Sequence, residues 1–418
     1  MGITEQTSLL GEQQGKEESR THKAGCGGAT EGEQADFLLL LGLLLATATP
    51  DDADEEEKEE NSHCYCHGNE RPSGYWCDES QEPCHVGDAS NTQPHHPAPP
   101  SQGSSIVSPQ PFFDLTLQKD PSEALVIAVT TRAIFNLEEE HQLYLEKGKE
   151  EYIRHQQANQ DKPLSPGTAF AFIQAAQYVN EKILESNPAE KGLFDILVLS
   201  NNSPESGVRI INSAKHYGLE ISKFCFVSDE DSTQYLKSHR VKLFLSADRT
   251  DVCNALQRGV SAALVFQQEV QAPSTPLRVV FDGDAVLFSD ETDQVFREQG
   301  LEGAMQYERA MEAVPIGEGP MKAFAMHLGK IRKKFSQEES PIRTYLVTAR
   351  SGRDMGIRAI KTLREWGLAI DEAFFMDGAP KGPILAQIQP HIFFDDGLHN
   401  IQGAQDVGVP SAWVPTCC

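Results

Sequence analysis

Basic charge is scarce in this chain. Lys and Arg number 36 against 62 Asp and Glu, giving a formal net charge of −26 and a pI near 4.9. A nucleic-acid surface needs clustered cations to meet the phosphate backbone, so no nucleic-acid partner is expected. Long apolar runs are missing as well. Phe37–Ala46 (FLLLLGLLLA) is far too short to span a bilayer, and acids follow it. Met1 to Lys23 is largely polar, which argues against a secretory leader. Gln6 stands where an N-myristoylation motif needs Ser or Thr. No membrane association is expected. Cysteine is thin where a core can form: of nine, only Cys225 and Cys253 fall inside the globular part, which fits a reducing compartment. The terminal Cys417–Cys418 pair reads as a plain chain end.

What is present gathers around one stretch. Leu277 to Phe281 (LRVVF) reads as a buried strand, and it ends in Asp282-Gly283-Asp284. At the carboxyl end of a parallel strand, that spacing aims two acids into the crevice where α/β sheets bind ligands. Asp282 is placed to attack an electrophile such as a phosphorus atom, and Asp284 to handle the proton of the leaving oxygen. Two acids so close repel each other, which points to a divalent cation nearby. Alone, the same residues also read as a strand ending in an Asp-Gly turn.

Three further pieces favour the chemical reading. Tyr345–Thr348 is a second apolar run ending in a hydroxyl able to hold a phosphate oxygen, with Ser351 close behind. Lys381, in APKGP, supplies a fixed cation. His391–Phe394 is another apolar run, ending in Asp395-Asp396, a pair suited to complete a Mg2+ site.

In this order the pieces resemble the four motifs of haloacid dehalogenase-like phosphatases. The wording of FDGDAVLFSDE, PIRTYLVTARS, GAPKGP and PHIFFDD is similar to the cytosolic 5′-nucleotidases of type I, from about Ala124 to about Val414. The resemblance implies Mg2+-dependent hydrolysis of nucleoside 5′-monophosphates, AMP favoured, in the cytoplasm, with ADP as an effector whose site it does not place. It also implies site roles. Asp282 is the nucleophile and Asp284 the acid–base, with the Asp282 carboxylate, the Asp284 carbonyl, and one or both of Asp395 and Asp396 on the metal. Thr348, Ser351 and Lys381 hold the phosphate. An acidic chain can bind one nucleotide if a few cations and a metal line the pocket. Phe288, Phe296 and Tyr307 are candidates to stack on a base, though core packing is the stronger reading of each. Arg350 reaches either phosphate or an acid such as Asp377. The competing readings are a phosphatase for another small ester and a nucleotide-sensing scaffold; a homo-oligomer is left open.

Along the chain, residues 1–119 read as disordered, with an acidic block at Asp51–Glu60 and a Pro-, Ser-, His- and Gln-rich stretch at Asn91–Pro111. His63, Cys64, Cys66, His67, Cys77, Cys84 and His85 are spaced too irregularly for a zinc site, and a solvated loop is the expectation. From Ala124 strands and helices alternate. VLSNNSPESGVRIINSAKHYGL aligns with VTARSGRDMGIRAIKTLREWGL, KLFLSAD with HIFFDDG, RGVSAALV with VGVPSAWV, and AVTTRAIF with VFDGDAVL. The fold expected is therefore α/β in two tandem units, and the resemblance implies that they are Rossmann-like units of haloacid dehalogenase type, with parallel sheets and small helical caps. Their expected bounds are 120–272 and 273–418, with the second cap at about 289–341.

The first unit is expected to be degenerate. Thr130 and Arg132 stand opposite Asp282 and Asp284, Ser246 and Ala247 opposite Asp395 and Asp396, and the copy of Lys381 falls near Ser232. Packing against its partner is its favoured role, with pocket shaping and effector binding as alternatives. The basic run Lys330, Arg332, Lys333 and Lys334 is expected to be a solvated helix face rather than a guide for substrate.

Overall fold

LVIAVT at Leu125–Thr130 has no polar residue before its last position, the composition of a strand covered on both faces. The computed structural model describes residues 123–416 apart from 222, 229–230 and 270–274. The expectations for residues 1–119, the His/Cys cluster among them, lie outside the described residues.

In chain order the first half contains β1 (Leu125–Thr130), α1 (Glu138–Ala158), α2 (Phe170–Ser186), β2 (Phe194–Ser200), α3 (Gly207–His216), β3 (Lys223–Phe226), β4 (Val241–Ser246), α4 (Arg249–Gln257) and β5 (Ala262–Val265). The second half contains β6 (Leu277–Phe281), α5 (Glu291–Ala310), α6 (Lys322–Arg332), β7 (Ile342–Thr348), α7 (Gly356–Trp366) and β8 (Glu372–Phe375). It ends with α8 (Gly382–Ile388), β9 (Ile392–Asp395), α9 (Leu398–Gln405) and β10 (Ser411–Trp413). The strands form one ten-stranded sheet in the order β3-β2-β1-β4-β5-β10-β9-β6-β7-β8. Every neighbouring pair is parallel except β5 with β10, which meet antiparallel through Val265–Ala412 and Leu264–Trp413. Where two parallel sheets are expected from the sequence, there is one sheet with an antiparallel seam. Read from either edge to that seam, each half presents its third, second, first, fourth and fifth strand.

Alternation along β1 divides the core. Leu125, Ile127 and Val129 join a large cluster that also takes Leu277, Val279 and Phe281 of β6, so this apolar layer crosses the seam. Val126 and Ala128 face a separate layer in the first half, and Val280 faces its counterpart in the second. Burial on both faces leaves the polar ends of the strands as the sites where chemistry can emerge. Of the cysteines, Cys225 is a free thiol and Cys253 is disulfide-bonded, which corrects in part the reading of both as reduced.

The residues between β6 and β7 hold the two helices α5 and α6. The helix α5 is broken at Gly300 (φ 69, ψ −172), and α1, at the matching place after β1, is broken at Gly148 (φ 80, ψ 179). The basic run at the end of α6 makes ion pairs elsewhere: Arg332 binds Asp371 and Lys334 lies 2.9 Å from Glu190.

Candidate active site

Asp282 follows β6, and its amide donates to the carbonyl of Phe394 at 2.8 Å, which ties the first acid to the strand that carries the last pair. Gly283 is required by crowding. A Cβ there would lie 2.8 Å from Thr348 Oγ1 and 3.2 Å from its Cβ. The chain then makes a wide turn over Gly283–Leu287 with Ala285 at φ +57, a conformation an L-residue adopts only at some cost. That turn sets Asp284 beside β7 instead of continuing the strand.

Lys381 stands at the N-cap of α8 and is buried. Its ammonium lies 2.7 Å from Asp282 Oδ1 and 2.6 Å from Asp395 Oδ2, a bridge between the first and last motifs. Burial opposes its charge, but the two carboxylates hold it above the ordinary lysine range. Asp282 is pushed well above the ordinary carboxylate range, first by burial; Lys381 pulls it down and Asp395 raises it further. The other oxygen of Asp395 accepts from Gly397 N at 2.8 Å and Asn400 Nδ2 at 3.0 Å. Asp396 is pushed up to about 7 by burial, by Asp395 and by Asp293. Carboxylate oxygens of Asp282, Asp395 and Asp396 lie within 4.8 Å of one another. Acids crowded so closely, with carboxyls pushed towards the neutral form, match the hard-oxygen set a Mg2+ ion takes.

Asp284 is gripped by a fork. Arg350 Nε donates to Oδ2 at 2.8 Å and Nη2 to Oδ1 at 2.6 Å. Arg350 therefore pairs with an acid, but with Asp284 and not with Asp377. Although burial opposes its charge, Asp284 and then Glu308 raise its pKa. Glu308, buried on α5, also holds Arg358 of α7 at 3.0 Å, and Arg358 reaches Glu291 at the start of α5. A continuous ion network thus runs from the candidate acid–base to both ends of the helix that follows it.

Thr348 ends β7 buried against Gly283, and its oxygen accepts from Arg350 N at 3.3 Å. The Ser351 hydroxyl accepts from Asp354 N at 3.1 Å, inside its own loop. Phe288 is not brought into the cluster. It is fully buried, its ring packed on Trp366 at 5.6 Å with the Arg350 guanidinium 5.7 Å away, so a base has no access to it. Tyr307 is half-buried with Arg358 5.5 Å above its ring, and Phe296 is exposed. Sequence reasoning missed Asp293. Its carboxyl is pushed up to about 6 by burial and then by Asp284, and it acts in turn on Asp396. The string SDETD reads as a helix start rich in acids; only the closeness of α5 to the strand ends marks Asp293 as part of the site.

A mostly parallel α/β sheet with a lysine-bridged acid cluster at its strand ends belongs to the class of proteins that bind ligands at those ends. Residues 117–418 match the 5'-nucleotidase family, and the chain belongs to that family. It is 45% identical over 299 residues to human "Cytosolic 5'-nucleotidase 1B", covering 70% of this chain and 49% of that protein. The chain thus spans about half the length of that relative. Among solved structures, a putative beta-phosphoglucomutase from Thermotoga maritima matches at 18% identity, over 32% of this chain and 82% of its own, with a TM-score of 0.18. Histidinol dehydrogenase from Elizabethkingia anophelis matches at 11% identity, over 59% and 49%, with a TM-score of 0.19. Neither likeness is strong enough to speak for the fold. No helix of the described residues is long and apolar enough to cross a membrane.

Proposed function

We propose that the protein is a Mg2+-dependent, cytoplasmic 5′-nucleotidase of haloacid dehalogenase-like type that hydrolyses nucleoside 5′-monophosphates, AMP favoured, to nucleoside and phosphate. The observation that carries this reading is the convergence of Asp282, Lys381, Asp395 and Asp396 at the ends of β6 and β9. Family membership and the name of the human relative support the substrate class.

Asp282, Asp395 and Asp396 would hold the Mg2+, which when bound offsets negative charge between nucleophile and phosphate. The Asp282 carboxylate oxygen forms a bond to phosphorus as the bond to the nucleoside 5′-oxygen breaks. Asp284 gives its proton to that oxygen. In the second half of the cycle Asp284 takes a proton from water, whose oxygen attacks the aspartyl-phosphate and releases phosphate and free Asp282. Lys381 and Thr348 meet the phosphate oxygens, with Ser351 beside them. Arg350 fixes the direction of the Asp284 carboxylate in its fork, and one oxygen must leave that fork before it carries the proton to the leaving oxygen.

The two halves are read as tandem units of one fold, the first without catalysis, since Thr130 and Ser246 stand where Asp282 and Asp395 carry the chemistry. The matching strand order, the glycine-broken helices α1 and α5, and the ladder registers support that reading. Leu245 pairs with Ala263 as Phe394 pairs with Ala412. The test is phosphate release from nucleoside 5′-monophosphates and sugar phosphates, with Mg2+ and with EDTA. Mg2+-dependent release favouring AMP is expected. Release from sugar phosphates alone would keep the chemistry and discard the substrate.

A further inference from the structure

A cavity of about 350 Å³ opens at the strand ends of the first half, lined among others by Thr130, Arg132, His141, Tyr144, Ser246 and Asp251. That volume is within the range of small-molecule sites. Six of its lining residues correspond in position to residues of the second half named above. Val129 pairs with Leu245 as Phe281 pairs with Phe394, which sets Thr130 where Asp282 is, Arg132 where Asp284 is, and Ser246 and Ala247 where Asp395 and Asp396 are. His141 and Asp293 stand at the same distance before the glycine breaks in α1 and α5, as do Tyr144 and Phe296. The hydroxyl of the second motif is kept as well. Val129 pairs with Val198 and Phe281 with Leu346, which sets Ser200 against Thr348. Asn202 N donates to Ser200 Oγ at 3.2 Å, as Arg350 N donates to Thr348 Oγ1.

Each carboxylate of the catalytic cluster has thus become a hydroxyl, a guanidinium, an imidazole or a methyl, while an aromatic ring is kept as Tyr144 at the place of Phe296. Without those acids the hollow lacks the cluster that would hold a divalent cation, and the carboxylates left in its lining are those of Asp248 and Asp251. Arg132 Nε is buried with no hydrogen-bond partner, a state with a free-energy cost that an incoming acceptor removes. The Nη2 of Arg132 is held by Glu138 at 2.8 Å, but both side chains are partly exposed, and a pair of that kind is weak enough to be exchanged. The remaining acids are engaged within the fold. Asp248 accepts from Asp251 N at the start of α4, and Asp251 accepts from Ser246 Oγ and is pushed up to about 6 by burial and then by Asp248. His141 is held below its ordinary range by burial and then by Arg132, so it faces the cavity neutral near pH 7.

We propose that this cavity is a second ligand site, which binds a phosphate monoester of the substrate class directly, without metal and without hydrolysis. The Arg132 guanidinium and the hydroxyl of Thr130 take the phosphate oxygens, and Tyr144 at the rim lies against the base. The ligand class rests on the proposed function; the site itself rests on the cavity and its correspondence.

The experiment is a calorimetric titration of the full chain carrying Asp282→Asn, in EDTA, with AMP, inorganic phosphate and adenosine as separate probes. Expected is binding of AMP, and more weakly of phosphate, that Arg132→Glu weakens by about tenfold or more, the scale of one charge-assisted contact. Tyr144→Ala should weaken AMP binding and leave phosphate binding as it was. With Asp282 restored, Arg132→Glu and Tyr144→Ala should keep the Mg2+-dependent kcat. AMP binding in EDTA that neither substitution alters, or no binding at all, overturns the proposal. So does adenosine binding as tightly as AMP, since the phosphate would then contribute nothing. Tyr144 is exposed, so its variant decides the matter if Arg132→Glu fails to fold. Absence of hydrolysis combined with Arg132-dependent AMP binding would overturn the proposed activity and leave this site standing.

Discussion

The Lys381 ammonium separates two buried carboxylates that otherwise face each other across the strand ends. Lys381→Met should lower the unfolding free energy by about 3 kcal/mol or more, the scale for breaking a buried pair by removing one partner. Mg2+ should recover part of that loss, because the metal supplies the missing positive charge. Denaturant melts with and without Mg2+ check both statements, and an unchanged midpoint would show that the bridge is not holding the acids. Asp282→Asn removes the nucleophile without adding volume, so phosphate release should fall to background while the far-UV spectrum stays that of the parent. Asp251 offers a pH test far from that cluster. Its folded-state value of about 6 lies above that of an unfolded aspartate. Its contribution to stability is therefore full below about pH 4 and is lost as the pH rises through about 6. Asp251→Asn, which installs the residue that stands at the matching place as Asn400, should stabilise the protein at about pH 8 by up to ~3 kcal/mol. The advantage should hold down to about pH 6 and shrink between about pH 6 and about pH 4, and a pH-independent gap would argue against the buried carboxylate as its origin.

At the scale of elements, α1 and α5 are each broken by a glycine in a region of backbone space that other residues scarcely enter. Nothing lies within 4 Å of a Cβ built on Gly148 or Gly300, so a cost on substitution measures backbone conformation alone. Gly148→Ala and Gly300→Ala should each lose about 1–3 kcal/mol in chemical denaturation; a neutral result would mean that the break relaxes into a continuous helix. Neither break is visible in sequence, because a glycine inside a charged, helical pattern gives no hint of its dihedral angles. The strand ends were far more legible. Thr348 and Asp395 end β7 and β9 as their apolar runs imply, because burial on both faces admits polar residues only at the tips. Asp293 and the Arg350–Asp284 fork were not legible, since both depend on where α5 lies against the sheet. The proposed repeat reads in the sequence with an offset of one residue at β2. Aligned without a gap, Leu199 falls on Thr348, whereas the ladders set Ser200 there. Helix α3 hides the slip because Gly207 and Gly356 both pack on a phenylalanine, Phe226 and Phe375.

Across the whole described region, the question is whether the halves melt apart. The strands at the seam, β5 and β10, share a two-residue register, too little backbone pairing to weld two sheets by itself. The apolar layer tells against separation, since one cluster runs from Leu125 and Phe172 through Val265 and Ala412 to Phe281 and Phe394. Pulling the halves apart would bring that layer into water at roughly 25 cal/mol per Å² of apolar surface. Heating should therefore give a single cooperative transition, followed together by far-UV circular dichroism and tryptophan fluorescence. Metal linkage sharpens the test because the acids proposed to bind Mg2+ lie only in the second half. At about a hundred times its dissociation constant, a ligand of the native state adds roughly 2.7 kcal/mol. In a coupled molecule that increment should raise the one transition by several degrees, with circular dichroism of both halves and fluorescence of Trp366 and Trp413 in the second moving in step, and Asp395→Asn should abolish the rise. Two transitions, of which Mg2+ moves only one, would show that the seam joins two units that fold separately, each on its own core.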